Sequence, residues 1–295
     1  VENHGTEVAD ASPNNNVGTI YGADWSTDSP KRCELVPYGR CSAVDLVGRH
    51  LSGMNLTGIK MNHAKLSGAN LSHADLTNAY LYYADLSGAD LTGANLTGAD
   101  LEDVDLSYAD LTNASLNDAE LDDAVLRYAD LTNANLTGAY LENADLTGAD
   151  LGWSDLSGAN LWHADLTDAY LRGADLSGVN LGYSNLVDAD LVYANLADAD
   201  LSDSDLTYIH ATYLQGCPSQ LPDEWQCVGD DLVGPHANLA FADLSDANLT
   251  DVRLTGANLA EADFTDAVVT GANFADTYWY LTIWTDGVAY DENQA

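Results

Sequence analysis

The sequence is poor in positive charge, in large apolar side chains and in proline. Its 295 residues include 9 Lys and Arg against 47 Asp and Glu, a formal net charge of −38, with only 3 Phe, 2 Met and 6 Pro. Such an acidic surface repels phosphate backbones, so we expect no nucleic acid among its partners. No run of apolar residues is long enough to cross a bilayer, so the sequence predicts no membrane insertion.

A five-residue repeat fills most of the chain. From Leu46 to Leu206 an apolar residue returns at every fifth position through 33 consecutive units, usually with Ala two residues before it, as in residues 89–93 (ADLTG). A helix turns by about 100° per residue, so this spacing would scatter the leucines around its circumference. The Ala-to-Leu spacing of two is that of a strand, and the Ser, Thr and Gly residues that follow favour a turn. The pattern predicts an all-β protein, a β-solenoid that buries its Leu and Ala.

These A-[DN]-L-x-x units resemble the repeats of the pentapeptide-repeat family. The resemblance implies a right-handed quadrilateral parallel β-helix with four pentapeptides per coil, and therefore about ten coils for this chain. The sequence supports four units per coil independently, because bulky or charged residues just after the leucine recur at intervals of 20. They are Tyr82, Glu102, Asp122, Glu142 and Trp162.

The repeat is interrupted once and is flanked by non-repetitive segments. We expect an N-terminal segment and cap at 1–43, the main solenoid at 44–208, an insert at 209–236, a second repeat block at 237–276 and a C-terminal cap and tail at 277–295. One continuous rod is favoured for the two repeat blocks, but the sequence leaves their stacking open. The ends of a solenoid expose unpaired strand edges, which is why both termini are interpreted as caps.

Four cysteines allow three disulfide pairings, and their spacing does not fit a zinc site. The local pairs Cys33–Cys41 and Cys217–Cys227 are favoured because each lies within one non-repetitive segment. The insert resembles the Cys-Pro…Trp-x-Cys insert of secreted bacterial members of the family. Disulfides, a start at Val1 that fits a processed export signal or a trimmed chain, and abundant Asp together predict a secreted or cell-surface protein in a saline environment.

Outward aromatic residues are the main candidates for a binding or assembly face. Residues 20 apart should stack, which places several rings on one side of the coil with acids between them. Such rings can stack on sugars, bury against a protein or mediate self-assembly, and the structural alternative is that they only shield each other. The candidates are Tyr80, Tyr82, Tyr83, Tyr140, Trp162, His163 and Tyr183.

A ladder of carboxylates provides weak candidates for Ca2+ binding and the only candidate cofactor. Stacked carboxylates repel one another and favour a cation between them, although Asp here is also the ordinary solvated residue of the repeat. No histidine lies 20 residues from another histidine or a cysteine, so no firm metal site is predicted. The ladder consists of Asp90, Asp110, Asp130 and Asp150.

We find no catalytic motif, neither G-x-S-x-G, a phosphate loop nor H-E-x-x-H, and we predict that the protein is not an enzyme. The leading hypothesis is a secreted structural or adhesive solenoid that assembles with itself, end to end or laterally, into filaments, or binds an extracellular surface or protein through the aromatic face. One alternative is an acidic DNA mimic that binds a topoisomerase-type protein, since some intracellular members of the family bind gyrase. A glycan- or matrix-binding module is the other alternative.

Overall fold

The computed structural model describes residues 18–19 and 33–290. The chain divides into two compact units, Val1–Asp150 and Leu151–Ala295. Most of the expected N-terminal cap, residues 1–17 and 20–32, lies outside the described residues, as does the tail 291–295. The described part of the chain forms no helix, and so none that could span a membrane.

Parallel pairing at an interval of 20 residues organises each unit. In the first unit Asp90 pairs in parallel with Asn70 on one side and with Asp110 on the other. In the second unit Asp175 pairs in the same way with Asp155 and Asn195. An interval of 20 residues corresponds to four pentapeptides, so each unit is a solenoid with four sides to a coil.

A pentapeptide that begins with Asp or Asn can satisfy all five of its backbone N–H groups, as residues 85–89 show. Leu86 and Gly88 donate to carbonyl oxygens of the next coil at 2.7 and 2.8 Å, and Asp85 donates to the preceding coil at 2.9 Å. Ala89 donates to the Leu86 carbonyl at 3.0 Å, and the Ser87 N–H donates to the Asp85 carboxylate at 3.1 Å. Asp and Asn at the first place have the short side chain that accepts this last N–H within its own turn, which explains why the repeat uses them.

The leucines and alanines of the repeat form the core. Leu86 is 0% exposed and Ala89 is 1% exposed, and the same holds along both units. Truncating one such Leu to Ala removes packing that no neighbour can replace, at a typical cost of about 2–5 kcal/mol. The alternation of inward Ala and Leu with an outward Asp or Asn therefore fixes which side chains meet solvent.

The described N-terminal residues close the first coil. Strand β1 (Gly18–Thr19) pairs antiparallel with β2 (Glu34–Leu35), and a disulfide joins Cys33 to Cys41. Cys33, Leu35 and Cys41 are buried, so this segment covers the end of the Leu and Ala core.

The insert lies partly within the wall of the second unit. Strands β3 (Gln226–Val228) and β4 (Asp231–Val233) form an antiparallel hairpin. All three residues of β4 are buried, and the Leu232 N–H donates to the Ala211 carbonyl at 2.9 Å. Beyond the hairpin the Asn238 N–H donates to the Ile209 carbonyl at 2.9 Å, so the second block stacks directly on the preceding coil.

A disulfide joins Cys217 to Cys227, so both bridges are the local pairs that the sequence favoured. The loop that the second bridge closes ends before β4, and its Gln220 pairs in parallel with Asp200 of the preceding coil.

Larger rings replace leucine at the C-terminal end. Strands β5 (Thr282–Ile283) and β6 (Ala289–Tyr290) pair antiparallel, and β5 also continues the parallel pairing through Ile283 and Asp263. The ring centroids of Trp279 and Trp284 are 4.8 Å apart, and Trp284 packs on Phe264 at 5.5 Å. The hairpin and these indoles cover the last coil.

Candidate functional site

The last residue of each pentapeptide turn determines where the outward rings go. This residue has a positive φ of about 50 to 76° throughout the repeats, for example 56° at Tyr83, 59° at His163 and 58° at Tyr183. The left-handed conformation favours glycine and costs a bulky residue on the order of 1 kcal/mol or more. Rings placed there must be compensated by contacts, and two of the resulting clusters contain residues of the predicted aromatic face.

The first cluster consists of His63, Tyr82, Tyr83 and Asp103. The rings of His63 and Tyr83 stack with centroids 5.4 Å apart and planes 10° apart. Tyr82 meets the Tyr83 ring edge-on at 4.1 Å and the His63 ring at 6.2 Å. Tyr83 is 47% exposed, whereas Tyr82 is half-buried because it packs on Tyr83. The cluster is thus a rigid aromatic surface spanning two coils.

The Tyr83 hydroxyl is held by its neighbours. Hydrogen bonding with Tyr82 and then with the Asp103 carboxylate raises the pKa of Tyr83 to about 12. The Tyr83 hydroxyl therefore stays protonated at neutral pH, and its oxygen and the Asp103 carboxylate offer acceptors at the edge of the aromatic surface.

Carboxylates crowd the coil that follows Tyr83. Burial raises the pKa of Glu102, and the charges of Asp100, Glu120 and Asp122 raise it further. Burial likewise raises the pKa of Asp100. The aromatic surface therefore borders a strongly negative patch.

The second cluster, in the second unit, consists of Trp162, His163, Tyr183 and Asp203. His163 stacks on Tyr183 at 5.3 Å and 27°, and Trp162 meets His163 edge-on at 3.9 Å. A hydrogen bond to Asp203 raises the pKa of Tyr183. Trp162 is half-buried, since its indole lies over Gly182, where a Cβ would be 3.4 Å from the ring. The second cluster repeats the chemistry of the first.

The clusters include three residues that the sequence reading did not select. Asp103, Asp203 and His63 complete the two sets, and a signal for them is present in the sequence. His163 follows His63 by 100 residues, and Tyr183 and Asp203 follow Tyr83 and Asp103 by the same interval.

Two predicted face residues lie apart from these ring contacts. Tyr80 is 43% exposed, and the Lys60 ammonium lies over its ring, 4.9 Å from the ring centroid. Tyr140 is 50% exposed and pairs through its backbone with Glu120. Within residues 33–150, the ring contacts of the first cluster do not extend to either of them.

The aspartate ladder caps turns. The Thr92, Thr112 and Thr132 N–H groups donate to the carboxylates of Asp90, Asp110 and Asp130 at 3.1, 3.0 and 2.9 Å. Burial pushes the pKa of Asp110 upward, but hydrogen bonds from Thr112 and Thr92 outweigh it and leave that pKa lowered.

No three His, Cys, Asp or Glu side chains of the described residues are grouped closely enough to hold a metal ion. Calcium binding by Asp90, Asp110, Asp130 and Asp150 stays a prediction.

Comparison with known proteins finds a matching family model and similar solved structures. The family model described as pentapeptide repeats matches in overlapping copies over residues 40–207 and again over 237–276. A search of curated proteins found no significant match.

Three solved structures are similar to the chain. HetL, a pentapeptide repeat protein involved in heterocyst differentiation regulation in the cyanobacterium Nostoc sp. strain PCC 7120, is 29% identical over 84% of this chain and 92% of its own, with a TM-score of 0.47. QnrB1, a plasmid-mediated fluoroquinolone resistance protein, is 22% identical over 61% of this chain and 92% of its own, with a TM-score of 0.39. A pentapeptide repeat protein of the Arabidopsis thaliana thylakoid lumen is 32% identical over 37% of this chain and 66% of its own, with a TM-score of 0.20.

The 20-residue pairing, the capped turns and the family match over most of the sequence agree, and the chain belongs to the pentapeptide repeat family.

Proposed function

We propose that this protein is a non-catalytic structural or adhesive solenoid that holds a surface or a partner through its two aromatic clusters. The observation that carries the proposal is the same His–Tyr–Asp arrangement, with an added edge-on ring, in each unit. A solenoid needs no rings at these positions, since Gly, Asn or Asp fills the equivalent place in most other turns. Repetition of a costly arrangement supports a role beyond packing.

The chemistry of the clusters suits adhesion. Exposed ring edges supply apolar contact, and the Tyr83 and Tyr183 hydroxyls with their aspartates supply directional hydrogen bonds. Because the rings are stacked in advance, little side-chain entropy is lost on contact.

We propose an exported, oxidising and saline setting for this function. The Cys33–Cys41 and Cys217–Cys227 disulfides support an oxidising compartment. A net charge of −38 favours solubility in salt, which screens its self-repulsion. From family membership we also infer a right-handed coil.

Adsorption measurements test the proposal. On a quartz crystal microbalance with alkyl-, amine- and carboxylate-terminated surfaces, the protein should adsorb, and the variant with Tyr82→Ala, Tyr83→Ala, Trp162→Ala and Tyr183→Ala should lose most of that adsorption. The matched control removes four exposed aromatics outside the clusters, Tyr170, Tyr208, Phe241 and Tyr278, and should adsorb like the unaltered protein. Equal loss in both variants would contradict a role specific to the clusters.

Mimicry of DNA is the second candidate, and the crowded carboxylates around Glu102 favour it. A surface that carries a net charge of −38 resembles duplex DNA to a basic groove. Inhibition of gyrase supercoiling at low protein concentration, undiminished in the cluster variant, would promote this candidate over adhesion.

A further inference from the structure

Outward side chains at the turns of the first unit lean toward the following coil. The Tyr128 ring covers Gly148 so closely that a Cβ there would lie 2.5 Å from it. Tyr38 covers Gly58 in the same way. Tyr108 in turn stacks on Tyr128, with centroids 5.3 Å and planes 18° apart. The stack of Tyr108 and Tyr128 therefore ends with one ring face directed at the preceding coil.

That ring face borders open space. Gly88 is the equivalent residue of the preceding coil, and a Cβ placed there would meet no atom within 4 Å. The same is true of Gly68 and Gly48, one and two coils further back. Tyr108 is 68% exposed. We call this feature the Tyr108 slot: an aromatic wall, Tyr108, above a backbone floor at Gly88.

Acids flank the Tyr108 slot. Asp85 and Asp105 stand on the two coils that form it, and each turns Oδ1 to its own serine N–H, at 3.1 and 2.9 Å. Arg127 in the same wall is paired with Asp145. An aromatic face beside carboxylates attracts a flat cation, and the guanidinium of arginine stacks on rings and pairs with carboxylates at once. The Lys60 ammonium over Tyr80 shows this preference within the same unit.

Most of the positive charge that would complement this acidic slot lies in one segment of the sequence, near its N-terminal end. Arg40, Arg49 and Lys65 are exposed, as is Lys60. Six of the nine basic residues fall between positions 31 and 65, namely Lys31, Arg32, Arg40, Arg49, Lys60 and Lys65. The basic end of one copy thus matches the acidic slot of another, while the rest of the surface repels.

We propose that two copies associate head to tail, with Arg40 or Arg49 of one copy stacking in the Tyr108 slot of the next. Different patches meet in such a contact, so every copy keeps one free slot and one free basic end, and association continues into chains. This inference deepens the proposed structural role and uses residues outside both aromatic clusters.

Sedimentation velocity of the full chain at about 0.15 M salt tests the contact. The protein should grow in size with concentration. Tyr108→Ala removes the wall, and Gly88→Tyr fills the slot with a ring at a turn position that tyrosine already tolerates at Tyr108. Each should weaken association by about two- to thirtyfold, the range expected for a stacked guanidinium. Both changes are neutral, so long-range charge repulsion cannot explain the loss.

A mixing experiment separates the two halves of the contact. The Arg40→Gln, Arg49→Gln double variant lacks the basic half, and Gly88→Tyr lacks the slot. Each alone should associate more weakly than the unaltered protein, and an equimolar mixture should form heterodimers at concentrations where neither variant forms homodimers. A monomeric unaltered protein, variants that associate normally, or a mixture without heterodimers would each overturn the proposal.

The four-residue cluster variant should associate like the unaltered protein. Failure of adhesion and failure of head-to-tail contact are therefore distinguishable.

Discussion

At the residue scale, the left-handed turn position decides what the surface can carry. Glycine fits it freely, and the many tyrosines, histidines and aspartates found there must recover the cost through contacts with the next coil. Stacked rings do this for Tyr83 and Tyr183, and a ring laid over glycine does it for Tyr128. A bulky ring is thus followed one coil later by a residue that it can pack on, either glycine, as at Gly148, or a second ring, as at Tyr83 and Tyr183.

Two glycines separate the conformational cost of the turn position from the steric cost of an overlying ring. Gly148 and Gly88 have nearly equal φ, 66 and 62°, but only Gly148 lies under a ring. Gly88→Ala should cost about 1 kcal/mol through conformation alone, and Gly148→Ala about 1 kcal/mol more because Tyr128 must move. Urea unfolding of both variants measures the difference. Equal losses would show that the Tyr128 contact contributes nothing.

The sequence predicted which way most side chains point. It did not predict that Asp caps its own turn or that some outward rings are half-buried. The period of five predicted buried Leu and Ala and a turn at Ser, Thr and Gly, and both are seen. It treated Asp as a solvated residue, whereas Asp85 accepts an N–H of its own turn. It also treated Tyr82 and Trp162 as fully outward, although contacts between coils half-bury them. The tilt of an outward ring toward the neighbouring coil depends on three-dimensional geometry that a repeat pattern does not encode.

At the element scale, the insert replaces part of a coil. Strand β4 fills a side of the solenoid with residues that belong to no repeat, so the spacing of leucines alone marked this segment only as an insert. The two hydrogen-bonded ends at Ile209 and Asn238 keep the coil register across the insert. An insertion can therefore be accommodated without loss of stacking.

Asp231 makes this element sensitive to pH. Its carboxyl is 3% exposed, and burial raises its pKa to about 6, helped by Asp230 and Asp243 and opposed by the Tyr213 N–H. A folded pKa above the unfolded value of about 3.9 means that protonation stabilises the fold, fully below pH 4 and no longer above pH 6.

Asp231→Asn should raise the unfolding free energy at neutral pH by about 2 kcal/mol and flatten its pH dependence. Urea unfolding between about pH 4 and pH 8 measures both. Asp230→Asn, the control, removes a neighbouring charge without neutralising the buried group and should have a smaller effect. A less stable Asp231→Asn protein with an unchanged pH slope would contradict this account.

At the scale of the whole molecule, the surface combines general charge repulsion with a few aromatic positions suited to contact. A net charge of −38 repels other copies in general, whereas the proposed contacts use a few aromatic positions and one basic segment. The repulsion follows from composition alone. The proposed contact sites required the structure, because they depend on which rings stack and which glycines stay uncovered.

The adsorption comparison decides whether the two aromatic clusters are adhesive sites. If the two aromatic clusters are the adhesive sites, the variant with Tyr82, Tyr83, Trp162 and Tyr183 replaced by alanine keeps its 20-residue coils, judged by circular dichroism and melting temperature, yet loses adsorption, and the control replacing Tyr170, Tyr208, Phe241 and Tyr278 retains it. A cluster variant that adsorbs like the unaltered protein, or one that unfolds while the control does not, would show that the rings serve the fold and not a partner.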